Sequence, residues 1–336
     1  MTTFGDQLYQ HGGAPVGLPY SWLKGPLGKV LFVAPYRTST GTAYHGASDD
    51  NPGTLEHPMK TIAAAYALCT SNLGNIIYII GTSNTAADVT DDWSATFTWS
   101  KNATHLIGLS PGMVAQRSRI GQLSTATGVS PLLDVTGHNN VFSGFHIFQG
   151  VADATSLICV RVTGQRNVFD RVHFGGVGDA TMSSAGACDI AIAGGAENLF
   201  KNCTIGLDTA VRDADATNVL FSSAATRNMF VDCHFQSYIS SASYCHVTVS
   251  DGTSIDRWQR FKNCLFSSDS TNQATSQTNI FSLPASIVQG KILLEGCSYV
   301  TDGATGSGDW GADKGIIWAS MPAAAAAAAG GEMTKQ

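Results

Sequence analysis

The stretch Asn198-Leu-Phe-Lys-Asn-Cys-Thr-Ile205 decides how this chain folds, because copies of it recur along the sequence. Three close copies and then two weaker ones begin at Asn140, Asn167, Asn228, Gln259 and Ile292. The third residue of each copy, which we call the anchor, is phenylalanine or, in the last copy, leucine, and successive anchors lie 27 to 33 residues apart. A drifting repeat of this length is typical of a solenoid, in which each repeat stacks on its neighbour.

Alternating polarity after the anchor predicts which side chains face the core. The third and fifth following positions are apolar in nearly every copy, which is the period of a strand with one buried face. Glycine, asparagine or aspartate two positions after the anchor suits a bend. The predicted core ladder is Phe142, Phe169, Phe200, Phe230, Phe261, Cys203, Cys233, Cys264 and Cys297. The fourth position should point outward, to solvent or to a partner, and it holds His146, His173, Thr204 and His234.

The eight cysteines do not predict disulfides or a metal centre. Four of them share one repeat position, and equivalent positions of a solenoid stack about 4.8 Å apart. Cysteine in such a column behaves as a small buried hydrophobe. No Cys-x-x-Cys pair and no Cys/His cluster with zinc spacing occurs in the sequence. We therefore expect reduced thiols and neither a metal nor another cofactor.

The composition narrows the class of protein. Charged residues make up 13% of the 336 residues, whereas they make up roughly 25% of an average soluble domain. Glycine occurs 36 times. A formal charge of −6 without a basic stripe argues against nucleic-acid binding. No apolar run approaches a membrane span of about 20 residues, and residues 1–8 lack the features of a secretory signal. We expect a β-rich, turn-rich protein made in the cytoplasm.

The chain divides into four predicted segments. Residues 1–27 are rich in glycine and proline but carry scattered aromatic residues, so we expect an extended arm that binds a partner through Phe4, Tyr9, Tyr20 and Trp22. Residues 28–110 should start the solenoid and include a helix at 58–69, and residues 111–300 should form its repeats. Residues 301–336 should add a last strand and an alanine-rich tail.

The loops between repeats vary in length, and such loops collect on one side of a solenoid, which is often the binding side. We place them at 175–187, 206–217, 236–244 and 267–278. They are dominated by small polar residues, and Tyr238 and Tyr244 are their main aromatic residues.

The segments Asn51-Pro-Gly-Thr54, Pro58-Met-Lys-Thr-Ile-Ala-Ala-Ala65, Ile76-Ile-Tyr-Ile79 and His105-Leu-Ile-Gly108 resemble the start of a right-handed parallel β-helix of the pectin-lyase-like superfamily. The resemblance, which covers residues 28–300, implies an all-β solenoid whose open end is capped by the short helix. It also implies that Asn140, Asn167, Asn198 and Asn228 are stacked turn asparagines with side-chain amides bonded between turns. The superfamily includes lyases, hydrolases, adhesins and viral fibres, so the fold alone does not give the function.

No catalytic constellation is assigned from the sequence. The motifs of pectate lyases and polygalacturonases, as the resemblance would imply them, do not occur in the repeats. The best carboxylate cluster is Asp208, Asp213 and Asp215, together with Arg212 in the same loop. A glycosidase needs two carboxyl groups roughly 5–9.5 Å apart. Asp134 should pair with Arg161 one repeat away, as a surface ion pair.

Two functions remain open from the sequence. The favoured one is a non-enzymatic bacteriophage virion protein, because residues 1–16 resemble the start of phage structural proteins and the coreless arms suit an assembly. Too few residues follow Val300 for a separate tailspike domain, so we expect a capsid decoration, cement or head-fibre protein. Such a protein would be a homotrimer whose arms bind the major capsid protein. The alternative is a tailspike-like protein that binds or cleaves a host surface glycan.

Overall fold

The computed structural model describes residues 28–34, 46–81, 91–110, 112–270, 277–284 and 289–301, and the backbone of 316–319. In these ranges the regular structure is almost entirely parallel β-strand, with one α-helix. The predicted arm at 1–27, with Phe4, Tyr9, Tyr20 and Trp22, lies outside the described residues, as does the alanine-rich tail.

In chain order the strands are β1 (Val30–Val33), β2 (Asn75–Ile79), β3 (Asp91–Trp93), β4 (Phe97–Trp99), β5 (Thr104–Gly108), β6 (Arg119–Gln122), β7 (Leu133–Val135), β8 (Val141–Ser143), β9 (His146–Phe148), β10 (Ile158–Val162), β11 (Val168–Asp170), β12 (His173–Gly175), β13 (Cys188–Ala193), β14 (Leu199–Lys201), β15 (Thr204–Ile205), β16 (Val211–Arg212), β17 (Thr217–Ser222), β18 (Ala225–Thr226), β19 (Met229–Val231), β20 (His234–Ile239), β21 (Val247–Val249), β22 (Ile255–Lys262), β23 (Leu265–Ser270), β24 (Phe281–Ser282), β25 (Gly290–Glu295), β26 (Ser298–Thr301) and β27 (Ile316–Ala319). A 3-10 turn occupies Ala180–Met182.

The strands build three parallel sheets. Sheet A has the order β1-β2-β5-β8-β11-β14-β19-β22-β25-β27, with β18 beside β22. Sheet B has the order β4-β7-β10-β13-β17-β21-β24. Sheet C has the order β3-β6-β9-β12-β15-β20-β23-β26, with β16 beside β20. From β4 onward the chain passes through sheets B, A and C in turn, so each strand pairs with its counterpart one turn away. This is a parallel β-helix, and it confirms the predicted fold class.

The helix α1 (Ile62–Leu68) covers the start of the coil, with Ile62, Ala65 and Tyr66 buried against the core. It is shorter than the predicted helix at 58–69, because Met59 pairs with Val33 as an extension of the sheet. The side chain of Thr61 caps the N-terminus by accepting from the Ala64 amide, 3.1 Å away.

Lys101 closes the other end of α1. Its ammonium donates to the carbonyl oxygens of Tyr66 and Cys69 at the C-terminal end of the helix, and the Tyr66 oxygen also accepts from the Cys69 amide. The same ammonium lies 4.5 Å from the centre of the Tyr66 ring. A single lysine thereby ties the capping helix to the first complete turn of the coil.

The anchor phenylalanines form a continuous stack through the core. The rings of Phe142, Phe169, Phe200, Phe230 and Phe261 are fully buried. Neighbouring ring centres lie 4.6 to 4.8 Å apart with the rings nearly parallel. The strand register places one anchor on each turn, so the spacing of the rings is that of the strands.

The repeat cysteines form a second column. Cys203, Cys233, Cys264 and Cys297 are buried free thiols, and each Sγ lies 3.4 to 3.5 Å from the carbonyl oxygen of an anchor one turn earlier. Burial raises the pKa of the Cys233 and Cys264 thiols well above the usual value. These thiols serve as core side chains.

A left-handed backbone conformation repeats at the corner between sheets A and C. The second residue after each anchor has a φ between 51° and 70°, at Gly144, Arg171, Asn202, Asp232, Asn263 and Gly296. This left-handed residue makes the tight bend from sheet A to sheet C. Glycine and asparagine adopt it at little cost.

The four turn asparagines form a buried ladder at the corner between sheets B and A. The backbone amides of Asn140, Asn167 and Asn198 each donate to Oδ1 of the next asparagine, at 2.9, 2.9 and 3.0 Å. Gln259 continues the ladder by accepting from the Asn228 amide group at 3.0 Å. Each of these buried backbone amides thereby finds a side-chain partner in the next turn.

Candidate functional site

Three places on the described coil hold chemically capable side chains. The first is the acidic loop, residues 206–216, which holds the carboxylate cluster that the sequence singled out. The second is a buried polar corner centred on Asp189 and Arg212. The third is the outer face of sheet C around His146 and His173.

The acidic loop presents separate carboxylates. Asp208 and Asp215 are exposed, whereas Asp213 is half-buried. The Asp213 carboxylate accepts from the Ser183 hydroxyl at 2.8 Å and from the Asp215 amide at 3.0 Å. These contacts fix the turn of the loop, so Asp213 already has a structural role.

Arg212 does not join these carboxylates, although it is their neighbour in sequence. Its guanidinium turns inward and donates to both oxygens of Asp189, at 2.7 and 2.9 Å, and both side chains are 0% exposed. Asp189 also accepts from the Gly176 amide at 2.6 Å and from the Asn218 side chain at 2.8 Å. Burial alone would lower the pKa of Arg212, but the adjacent Asp189 carboxylate raises it overall.

The polar corner continues through two further turns. Asn218 Oδ1 accepts from the Tyr244 hydroxyl at 3.0 Å and is hydrogen bonded to His246 at 2.5 Å. His246 also bonds to Ser268 at 2.8 Å. Burial lowers the pKa of His246 to about 3 and raises that of Tyr244 to about 12. The corner is a buried network of hydrogen bonds in the interior of the coil, in which Arg212 Nε alone among the guanidinium nitrogens has no partner within the described residues.

The structure places the two loop tyrosines differently from the sequence prediction: Tyr238 lies in a strand, and Tyr244 lies in the loop but is buried. Tyr244 is fully buried in the polar corner, and Tyr238 lies in β20, which extends to Ile239 and leaves a shorter loop. A signal for the corner was present in the sequence. Asp189, Asn218 and His246 directly precede residues 190, 219 and 247, which pair in register. Polar residues at one repeat position indicate a polar column.

The outer face of sheet C also differs from the prediction. His146, His173 and Thr204 point away from the core, yet each is only 1% exposed. Residues 112–118 cross over them, so the prediction of an exposed column is wrong for these three. The rings of His146 and His173 stack with centres 4.2 Å apart. His234, beyond the covering segment, is half-buried.

The surface ion pairs are ladder contacts between turns. Arg161 donates to Asp134 through Nε and Nη2, at 3.0 and 2.6 Å, as the sequence predicts. In the described ranges no three His, Cys, Asp or Glu side chains converge in a way that could hold a metal ion. Among the same residues there is no helix of the length and apolarity that a membrane span requires.

No protein-family model and no curated protein sequence matches the chain. Solved structures do align with it. A rhamnogalacturonan lyase has 16% identity and a TM-score of 0.44, over 83% of this chain and 75% of that one. The likeness is one of backbone.

Two further structures align at similar levels. A pectin methylesterase from Aspergillus niger shows 14% identity and a TM-score of 0.46, over 92% of this chain and 93% of that one. Geobacillus virus E2 ORF18 shows 11% identity and a TM-score of 0.36, over 77% of this chain and 60% of that one. The parallel β-helix itself is defined by the strand pairings given above.

Proposed function

We propose that the chain is a non-enzymatic structural protein of a bacteriophage virion, and specifically a capsid decoration (cement or head-fibre) protein. It would act as a homotrimer whose terminal arms bind the major capsid protein or other virion proteins. The observation that carries the proposal is that ionisable side chains of the coil are engaged in structural hydrogen bonds and ion pairs. Asp213 is hydrogen bonded to Ser183 from the preceding turn, and Asp189 and Arg212 form a fully buried pair, so these side chains serve structural contacts.

The architecture supports a scaffolding role. The anchor stack, the cysteine column and the asparagine ladder all run along the coil axis and link each turn to the next. In a solenoid whose turns contact only their neighbours, such columns make the coil a stiff spacer. A stiff spacer with aromatic residues concentrated in a terminal segment suits a protein that attaches by that segment and projects from a surface.

Replacing Phe4, Tyr9, Tyr20 and Trp22 together by serine should abolish binding to phage particles, because these residues supply the large apolar contact side chains of the proposed arm. The measurement is co-sedimentation of the purified full chain with particles that lack it, with circular dichroism to verify the coil. Val300→Ser is the matched control, since Val300 is 53% exposed on the coil itself. Undiminished binding of the fourfold variant would contradict attachment through the arm, and labelling of the tail alone would contradict capsid decoration.

The exposure of Asp208 and Asp215 makes the glycan alternative testable. With a non-enzymatic coil, the wild-type protein should release no reducing ends from host polysaccharide. Asp208→Asn, Asp213→Asn and Asp215→Asn should each behave like the wild type. If the wild type cleaves the polysaccharide and one of these variants does not, the glycan-cleaving function replaces the structural one. Glucose-polymer hydrolysis by a known enzyme serves as the assay control.

A further inference from the structure

Residues 109–118 form an unusually long connection between sheets A and C. Between β8 and β9 the corner is the two residues Gly144 and Phe145, whereas ten residues separate β5 from β6. We call residues 112–118 the strap. It folds along the coil axis over the outer face of sheet C, across β9, β12 and β15.

Three hydrogen bonds hold the strap down. The amide of Ala115 donates to Nδ1 of His173 at 2.9 Å. The Gln116 side chain donates to the carbonyl of Arg171, also at 2.9 Å. The Thr204 hydroxyl donates to the carbonyl of Met113 at 3.0 Å. The outer surface of the strap is apolar, since Met113 and Val114 are 46% and 55% exposed. The strap thus covers sheet C and is attached to it by these three hydrogen bonds.

The fastening to His173 requires an unprotonated Nδ1. Because the Ala115 amide donates to this nitrogen, Nδ1 must offer a lone pair, and Nε2 then donates to the Gly206 carbonyl at 2.9 Å. A second proton on the ring, at Nδ1, would point an N–H donor at the N–H of Ala115. It would also place a cation against the stacked ring of His146, whose Nδ1 accepts from Arg119 at 3.1 Å.

Charged and titratable groups surround this ring on several elements. The groups whose fields act on the stacked pair are His146 of β9, Arg117 of the strap, Arg119 of β6, Asp189 of β13 and Asp208 of the acidic loop. The Asp189 carboxylate already forms an ion pair with Arg212. Asp208 is exposed and screened by solvent. Nothing in this set offers a proton acceptor for Nδ1 once the Ala115 amide occupies it.

We propose that the strap is an acid-released cover. Protonation of His173 at Nδ1 removes the acceptor of the Ala115 amide, and the strap lifts from sheet C while the coil stays folded. Release uncovers the outer faces of His146, His173 and Thr204 and frees the apolar residues Met113 and Val114 to bind elsewhere.

The direction of the pH effect follows from burial, which lowers the pKa of His173 to about 4. The closed strap binds this proton less readily than the open strap, in which His173 has its ordinary value of about 6.5. The closed state is therefore fully stable above pH 6.5 and loses stability as the pH falls towards 4. Burial also lowers the pKa of His105 and His246, so acid weakens the whole coil in the same direction.

Hydrogen–deuterium exchange of the full-length protein between pH 7.5 and 4.5 tests the proposal. Between pH 7.5 and 5, linkage predicts an increase of about thirtyfold in strap opening, after correction for the intrinsic rate of exchange. The peptide covering 112–118 should show this increase, and the peptides covering β11 and β14 should not. If these strands lose protection at the same pH as the strap, the coil opens globally and the proposal is overturned.

Two histidine variants sharpen the result. In His173→Asn, Oδ1 takes the place of Nδ1 as acceptor and does not titrate, so the exchange of the strap should lose the pH dependence that comes from His173 and keep only that of the buried His146. His138→Asn is the matched control, because His138 Nδ1 accepts from the Gln165 amide at 2.9 Å, away from the strap. This control should keep the wild-type pH dependence. A His173→Asn strap whose opening rises as much as that of the wild type between pH 7.5 and 5 would overturn the role of His173.

Discussion

Replacing Arg212 by methionine is expected to lower the free energy of unfolding by about 3–5 kcal/mol, because it leaves the Asp189 carboxylate buried without its cation. Methionine keeps much of the volume of arginine, so the loss reports charge more than packing. The Asp189 carboxylate would retain the Gly176 amide and the Asn218 side chain as donors. Two neutral donors do not replace a bidentate guanidinium in an interior of low dielectric. The measurement is guanidinium-induced unfolding followed by far-ultraviolet circular dichroism.

Arg161→Met is the matched control for this prediction. Arg161 also binds its carboxylate partner, Asp134, through two nitrogens, but its side chain is 40% exposed. An exposed pair of this kind contributes about 1 kcal/mol or less. The double variant Asp189→Asn with Arg212→Met should recover part of the loss, since it removes the unpaired charge. Equal losses for Arg212→Met and Arg161→Met would show that burial does not set the value of the pair.

The sequence predicts the coil well because the coil is periodic. Each turn must place an apolar anchor inward and a bend two residues later, so one stretch such as 198–205 carries the geometry of every other turn. The stacked turn asparagines are what the family resemblance implies, and their regular spacing lets each donate to a side chain of the next turn. Periodicity thus determines both the core and the corner hydrogen bonds.

The sequence does not predict the contacts that break the period. The strap reaches His173 from a position 58 residues earlier, and nothing in residues 112–118 repeats elsewhere. Its effect is to bury a column that alternation alone places at the surface. Arg212 shows the same limit, because a charged residue beside three aspartates in a loop reads as exposed. Only the polar residues aligned at Asp189 and Asn218 indicate the interior site that receives it.

Replacing Phe200 by alanine should cost about 3–5 kcal/mol of unfolding free energy, because it opens a cavity in the middle of the anchor stack. The Phe200 ring lies 4.6 Å from the rings of Phe169 and Phe230 and is 0% exposed. The removed ring has no flexible neighbour to fill its place, since both adjacent anchors are held by their own turns. Denaturant unfolding gives the change in free energy, and the rate of unfolding gives the same ranking if refolding is incomplete.

Leu199→Ala is the matched control, one residue away in the same strand. Leu199 is half-buried on the outer face of sheet A, so its truncation removes about 1 kcal/mol or less of apolar burial. A loss for Phe200→Ala no larger than that for Leu199→Ala would contradict the role of the stack. Both variants keep the backbone bonds of β14, so a difference between them belongs to the side chains.

Phe200→Leu separates the shape of the rings from their volume. The last anchor is Leu294, which is fully buried in the same register, so leucine fits this position of the fold. At Phe200, however, leucine would break two stacked pairs, each worth about 0.5–1.5 kcal/mol beyond burial. We expect Phe200→Leu to cost about 1–3 kcal/mol by this count, clearly less than Phe200→Ala. If the leucine variant is as unstable as the alanine variant, ring stacking rather than filled volume joins one turn to the next.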